Sequence, residues 1–185
     1  MQTWQIDAMA VVATVALGLI AFVIYRRRRT RLLQEHFGAE YDHAVSEIGD
    51  RRRAEADLAE REARVRKLQV RELSPSDRDR LEALWKQCQA QFVDDPAGAV
   101  HEADRLVTDI MHTRGYSILN AEDRIAQISA AYPALAAGYR SACYVGAQYR
   151  SGNASTEDLR QAFIHYRALF DDLLVGGRED LKRAS

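Results

Sequence analysis

The clearest helical pattern in this chain is STEDLRQAFIHYRALFDDLLV, from Ser155 to Val175. Its apolar side chains recur three and four residues apart, which places them on one face of a helix. They are Leu159, Ala162, Phe163, Tyr166, Leu169, Phe170 and Leu173. Ser155 followed three residues later by Asp158 is typical of a helix N-terminus. The stretch therefore predicts an amphipathic helix that buries one face against other helices.

The preceding eighty residues contain further amphipathic stretches of this kind. Each apolar stripe begins at a capping side chain or a proline. The predicted starts are Ser74-Pro75, Asp95-Pro96, Asn120 and Pro133. Gly115 is a plausible stop for the second of these helices. No segment shows the alternating pattern of a strand. We therefore expect an all-α fold, with a compact bundle of four to five helices over residues 73–175 and a frayed tail over residues 176–185.

Residues 32–72 differ from the bundle because their middle part is rich in charge and poor in large apolar side chains. Opposite charges lie four residues apart, a spacing that supports an isolated helix. The pairs are Arg51/Glu55, Arg53/Asp57, Asp57/Arg61, Glu60/Arg64 and Glu62/Arg66. We expect a charged helical stalk that is largely solvated. Leu58 and Val65 are seven residues apart, as a coiled-coil seam requires, so the stalk is also a candidate for self-association.

The N-terminal region carries an uncharged apolar run, AMAVVATVALGLIAFVIY from Ala8 to Tyr25, followed by an arginine block. An 18-residue helix is about 27 Å long, close to the ~30 Å hydrocarbon core of a bilayer. A cleaved signal peptide is disfavoured because no basic residue precedes the run. We predict a single transmembrane helix within residues 1–31, in a bacterial inner membrane, with the N-terminus outside and the C-terminal domain cytoplasmic. The predicted membrane-interface residues are Trp4, Tyr25, Arg26, Arg27, Arg28, Arg29 and Arg31.

Charge is distributed unevenly along the chain. The formal net charge is −1, but residues 32–185 contain 21 basic and 26 acidic side chains. A nucleic-acid-binding protein usually spreads a basic patch over a folded face, which the sequence does not indicate. We therefore expect no nucleic-acid partner, and we assign the arginine block to anionic lipid headgroups of the bilayer.

Histidines and carboxylates form two candidate metal-binding sets. His36, Glu40 and His43 are spaced to share one helical face, and His101, Asp104 and His112 line another helix. The first set lacks the H-E-x-x-H spacing of a zinc helix, and the second matches the polar side of an amphipathic helix. We expect no metal and no cofactor, and a metal-binding or small-ligand domain remains the alternative.

Catalytic motifs are missing from the sequence. There is no G-x-S-x-G, no P-loop, no dinucleotide glycine pattern and no EF-hand loop. Cys88 and Cys143 lie on apolar stripes without metal-like spacing, which indicates structural thiols. We expect that the protein is not an enzyme and has no catalytic residue or known small-molecule ligand.

Four segments resemble a family of uncharacterised bacterial proteins with an N-terminal membrane segment and a helical domain. They are FVDDPAGAVHEADRLVTDIMHTRGY, ASTEDLRQAFIHYRALFDDLL, EHFGAEYDHAV and GDRRRAEADL, which begin at Phe92, Ala154, Glu35 and Gly49. Family members often carry proline after the RGY triplet, where this chain has Ser117. The resemblance implies the same domain layout and supplies no site residue.

Taken together, these patterns favour a membrane-anchored protein-interaction module that binds a protein partner or a second copy of itself. Tyr144, Tyr149 and His165 are the candidate rim of a binding groove in the bundle. A structural, self-associating stalk protein is a further alternative.

Overall fold

The computed structural model describes residues 3–151 and 153–176, with side chains described for residues 16–149, 151 and 153–176. Within these ranges the chain forms eight α-helices and no strand, so the all-α prediction is confirmed. The helices are α1 (Thr3–Phe37), α2 (Ala39–Ile48), α3 (Arg51–Lys67), α4 (Pro75–Gln91), α5 (Pro96–Arg114), α6 (Ala121–Ala131), α7 (Pro133–Arg150) and α8 (Thr156–Val175). The predicted tail beyond Gly176 lies outside the described residues.

Capping explains where the helices of the bundle begin. The side chains of Ser74, Asp95 and Asn120 each accept a hydrogen bond from a backbone N–H in the first turn of the following helix. Ser155 and Asp158 form a reciprocal capping box at the start of α8. Gly115 ends α5 with φ 94°, a conformation that suits glycine. The predicted helix starts are therefore confirmed.

A first apolar core joins α4, α5, α7 and α8, with α6 at one side. Leu106, Ile110 and Leu169 are completely buried in it. Trp85 lies nearly parallel to Phe163 and Phe170, with ring centroids 5.2 and 4.5 Å apart. Offset stacking of this kind stabilises the core beyond the burial of area alone. The helical bundle predicted for residues 73–175 is thus present.

A second apolar core lies between the C-terminal part of α1, α2, α3 and α6. Its buried members are Leu33, Phe37, Tyr41, Ala44, Ala54, Leu58 and Ala130. Ala54 and Leu58 are fully buried although they belong to the predicted solvated stalk. Ala54 and Leu58 share one face of α3, and the small Ser129 and Ala130 are buried on α6, the helix that α3 packs against. The charged helix is consequently packed against the bundle and does not stand free.

Buried ionic contacts reinforce this docking. Glu40 on α2 is 2% exposed, and its carboxylate accepts hydrogen bonds of 2.7 and 3.0 Å from Nη2 of Arg140 on α7. Nη1 of Arg61 on α3 lies 3.8 Å from the same carboxylate and donates to the hydroxyl of Ser129 on α6 at 3.2 Å. One acidic side chain thereby connects α2, α3 and α7.

The predicted transmembrane anchor is the main correction. Among the described residues no helix is long and apolar enough to cross a bilayer. The fold prediction of a transmembrane helix in residues 1–31 and the single-pass inner-membrane location are therefore wrong. The arginine block and the end of the apolar run belong to one continuous helix, α1, whose C-terminal part is buried in the second core at Leu33 and Phe37. The first part of the predicted run, Ala8–Val15, and the predicted interface residue Trp4 lie outside the described side chains.

Candidate interaction site

Residues 17–25 of α1, here called the apolar segment, form the most exposed apolar region of the described chain. Leu17, Ile20 and Ile24 lie three and four residues apart and are between 48% and 67% exposed. Leu19, Phe22, Val23 and Tyr25 are exposed as well, which places apolar side chains around the helix. The described remainder of the chain does not cover this segment, because the second core begins only at Leu33.

An arginine-lined cleft opens where α1 passes the start of α3. It encloses about 670 Å³, and we call it the arginine cleft. Its lining consists of Phe22, Val23, Arg26, Arg27, Thr30, Arg31, Gln34, Arg51, Arg52 and Glu55. A smaller adjoining cleft of about 340 Å³ shares Arg26, Arg52 and Glu55 and adds Arg29. The two arginine runs of the sequence, separated by nineteen residues, therefore meet at one place.

Glu55 is the acidic group of the arginine cleft, and its Oε1 is fully engaged. It accepts hydrogen bonds from Oγ1 of Thr30 and the hydroxyl of Tyr41, both at 2.9 Å, and from Nε of Arg51 at 3.2 Å. Burial acts to raise the pKa of Glu55, but these three hydrogen bonds together lower it. Glu55 therefore stays ionised and fixes the start of α3 beside α1.

A partly buried polar cluster lies between α5, α6 and α7. Nη2 of Arg124 on α6 donates to both carboxylate oxygens of Asp104 on α5, at 3.0 and 3.1 Å. The Tyr139 hydroxyl donates to Asp104 at 3.3 Å, and the guanidinium of Arg124 lies over the Tyr139 ring. Burial raises the pKa of Tyr139 well above the usual tyrosine value. Because the two charges satisfy one another, the cluster is suited to holding α5, α6 and α7 together.

The two histidine sets do not assemble. His36 lies 3.2 Å from the carbonyl of Ala130, Glu40 pairs with Arg140, and His43 lies 3.5 Å from Glu47. In the second set His101 and His112 are exposed, whereas Asp104 forms an ion pair with Arg124. In the part of the chain that the structure describes, no group of three His, Cys, Asp or Glu side chains could hold a metal ion.

The predicted rim residues occupy the surface of α7 and α8. Tyr144 and Tyr149 are exposed, at 65% and 45%. His165 is half-buried against Gly138, where an added Cβ would lie 2.6 Å from its Nδ1. None of the three lines either cleft described above. The predicted groove between them stays a prediction.

Burial raises the pKa of both cysteine thiols, which lowers their reactivity. Cys88 is 1% exposed, and its thiol donates to the carbonyl of Ala99 at 3.1 Å. Burial raises the pKa of Cys88 to about 12. Cys143 is half-buried, and burial raises its pKa too. The prediction of a buried structural thiol is confirmed for Cys88.

Comparison with known proteins gives no match among protein families, curated proteins or solved structures. The family resemblance therefore stays a prediction, and the function must be argued from the described residues. Sequence reasoning placed Arg26, Arg27 and Arg31 at a site but missed Arg51 and Arg52. The available signal is the second arginine run, Arg51–Arg53, although the spacing of Arg51 and Arg53 from Glu55 and Asp57 also predicts helical ion pairs.

Proposed function

We propose that this protein is a helical protein-interaction module that binds a partner protein through the apolar segment of α1. The observation that supports this proposal is the exposure of Leu17, Ile20 and Ile24 on a helix whose later residues are firmly packed. Large contiguous apolar patches are uncommon on isolated proteins and mark interaction sites.

The partner suited to this surface offers an apolar groove that receives a helix. Leu17, Ile20 and Ile24 follow the i, i+3, i+7 spacing by which a helix inserts its side chains into such a groove. None of the three lines the arginine cleft, so the partner can bind this stripe while the cleft stays open. The second core holds Leu33 and Phe37 in place and anchors the helix for presentation.

Site-specific photocrosslinking in cells tests the proposal. A photoreactive amino acid at Ile24 should crosslink to a defined protein, whereas one at Leu119, which is also exposed and lies before α6, should not capture the same protein. The captured protein should then bind the purified full chain saturably, and Ile20→Ser with Ile24→Ser should abolish that binding. Leu119→Ser is the control and should leave it unchanged.

Three results would contradict the proposal. The first is crosslinking of Ile24 to lipid alone, and the second is binding that survives the double substitution. The third is capture only of further copies of this chain, with a doubled mass in light scattering, which would support the self-associating structural alternative. The metal-binding alternative has no described cluster to support it.

A further inference from the structure

The arginine cleft carries an uncompensated positive charge. Five arginines line it, Arg26, Arg27, Arg31, Arg51 and Arg52, with Glu55 as the acidic residue of the lining. Arg51 already pairs with Glu55 at 3.2 Å. Within the described part of the chain, the other four have no carboxylate within 4 Å. An anion is therefore the chemical complement of this cleft.

The cleft is organised before a ligand arrives. Thr30 on α1 and Tyr41 on α2 donate to Glu55 on α3, and Nε of Arg51 also donates to the Tyr41 hydroxyl at 2.9 Å. This brace fixes the end of the first arginine run beside the start of the second. Binding then orders only the arginine side chains and not the helices, which lowers the cost of association.

The charge of the cleft favours phosphate over carboxylate. A guanidinium group pairs bidentately with either group, but a phosphate monoester carries up to about two negative charges where a carboxylate carries one. Four uncompensated arginines exceed the charge of one carboxylate or one phosphate, and a volume of about 670 Å³ is larger than a single phosphate needs. A nucleic-acid strand needs a longer basic track, whereas residues 32–185 have an excess of acidic side chains.

We propose that the arginine cleft is a binding site for a ligand with two or more closely spaced phosphate groups. Arg26 and Arg52 are the central contacts because both line the main cleft and the smaller cleft beside it. Arg27, Arg31 and Arg29 extend the site to either side. The same chemistry is found in free oligophosphates and in phosphorylated lipid headgroups, and the experiment separates these sources.

Calorimetric titration of the full chain with inorganic tripolyphosphate is the direct test. We expect one site per chain, and Arg26→Gln with Arg52→Gln should weaken binding about tenfold or more, since two charge-assisted contacts are lost. Arg167→Gln, an exposed arginine on α8 that pairs with Asp171, is the matched control and should not change the affinity. Thermal melting of each variant checks that the fold is intact. Citrate should bind more weakly than pyrophosphate, a ligand with two phosphate groups and a similar negative charge at neutral pH.

A second arm measures sedimentation of the chain with neutral vesicles and with vesicles that contain phosphorylated inositol lipids. Binding in either arm that depends on Arg26 and Arg52 supports the proposal, and the arm in which it occurs identifies the source. No binding in both arms, equal binding of citrate and pyrophosphate, or equal loss with Arg167→Gln overturns it. Binding of duplex DNA without binding of tripolyphosphate also overturns it.

The stripe of Leu17, Ile20 and Ile24 can be tested separately from this site, although Phe22 and Val23 of the apolar segment line the cleft. Ile20→Ser with Ile24→Ser should leave the affinity for tripolyphosphate unchanged, because neither residue lines the cleft. The failure of one proposal is therefore distinguishable from the failure of the other.

Discussion

The bundle of α4–α8 and the unit formed by α1–α3 are both helical, but they are specified in different ways. In the bundle, each helix carries a start signal and an apolar stripe, and the helices meet through one apolar core. In α1–α3, the apolar core is small, and polar contacts such as Glu40 with Arg140 join residues a hundred positions apart. The local sequence pattern therefore predicts the helices of both regions. It predicts how the helices pack only in the bundle of α4–α8.

Breaking the contact between Glu40 and Arg140 should lower the free energy of unfolding strongly, and it tests whether polar contacts hold α1–α3 against the bundle. Glu40→Ala removes the buried carboxylate from Arg140 and Arg61. It should cost about 3 kcal/mol, the lower end of the range for a broken buried pair, because both guanidinium groups are partly exposed and Arg61 keeps its pair with Asp57. Urea unfolding of the full chain measures this loss. Glu40→Gln should cost less because the amide oxygen can still accept from Arg140.

Glu157→Ala is the control for Glu40→Ala, because Glu157 forms an exposed pair with Arg160 within α8. Exposed pairs of this kind contribute little. If Glu40→Ala were as mild as Glu157→Ala, the ionic docking of α2 would not be a stabilising feature.

The two cores can be compared by matched truncations. Leu58 in the second core and Leu106 in the first are both completely buried. Leu58→Ala and Leu106→Ala should each cost about 2–5 kcal/mol in equilibrium unfolding, through lost burial and a cavity. If Leu58→Ala alone left the free energy of unfolding nearly unchanged, the result would support the predicted solvated stalk.

Alkaline pH should destabilise the bundle through its buried thiol and phenols. The folded state raises the pKa of Cys88 to about 12 from an ordinary value of 9.0, so only the unfolded chain loses this proton between about pH 9 and pH 12. The stability contribution is complete below pH 9 and is lost as the pH rises towards 12, at up to about 1.4 kcal/mol per pH unit. The raised pKa values of Tyr139 and Tyr166, which result from burial, act in the same direction.

Urea unfolding at stepped pH values measures this dependence, and Cys88→Ala should have a shallower slope than the parent chain. A free energy of unfolding that stays constant from pH 9 towards 12 would show that these groups are not buried as described.

Removing one cap should have the smallest effect. Ser155→Ala deletes one half of the capping box of α8 and should cost about 1 kcal/mol. Ser155→Thr retains a hydroxyl that can accept from the N–H of Asp158 and donate to its carboxylate, and serves as the control. Equal stability of Ser155→Ala and the parent chain would show that the core alone sets the start of α8.

Much of the fold could be predicted from sequence because its signals are local. Ser74, Asp95, Asn120 and Ser155 are caps that act within one turn, and the sequence places each of them correctly. Three of the five predicted helical ion pairs also form, at Arg51/Glu55, Asp57/Arg61 and Glu62/Arg66.

The docking of α3 and the arginine cleft could not be predicted in this way. They depend on Leu58 packing near Ala130 and on Thr30 reaching Glu55, contacts between residues that are distant in sequence. Leu58 is apolar, but the charged residues beside it in the sequence predict a solvent-exposed helix. An isolated apolar pair on a charged helix does not reveal which surface will cover it.

The most direct test of the central claim, that α3 packs against the bundle and brings the second arginine run beside the first, is amide hydrogen exchange of the full chain. The amides of Ala54 and Leu58 should exchange with protection similar to that of Val107 in α5, because all three lie in covered helices. Exchange of the α3 amides at the rate of an isolated helix, with Val107 still protected, would contradict the claim.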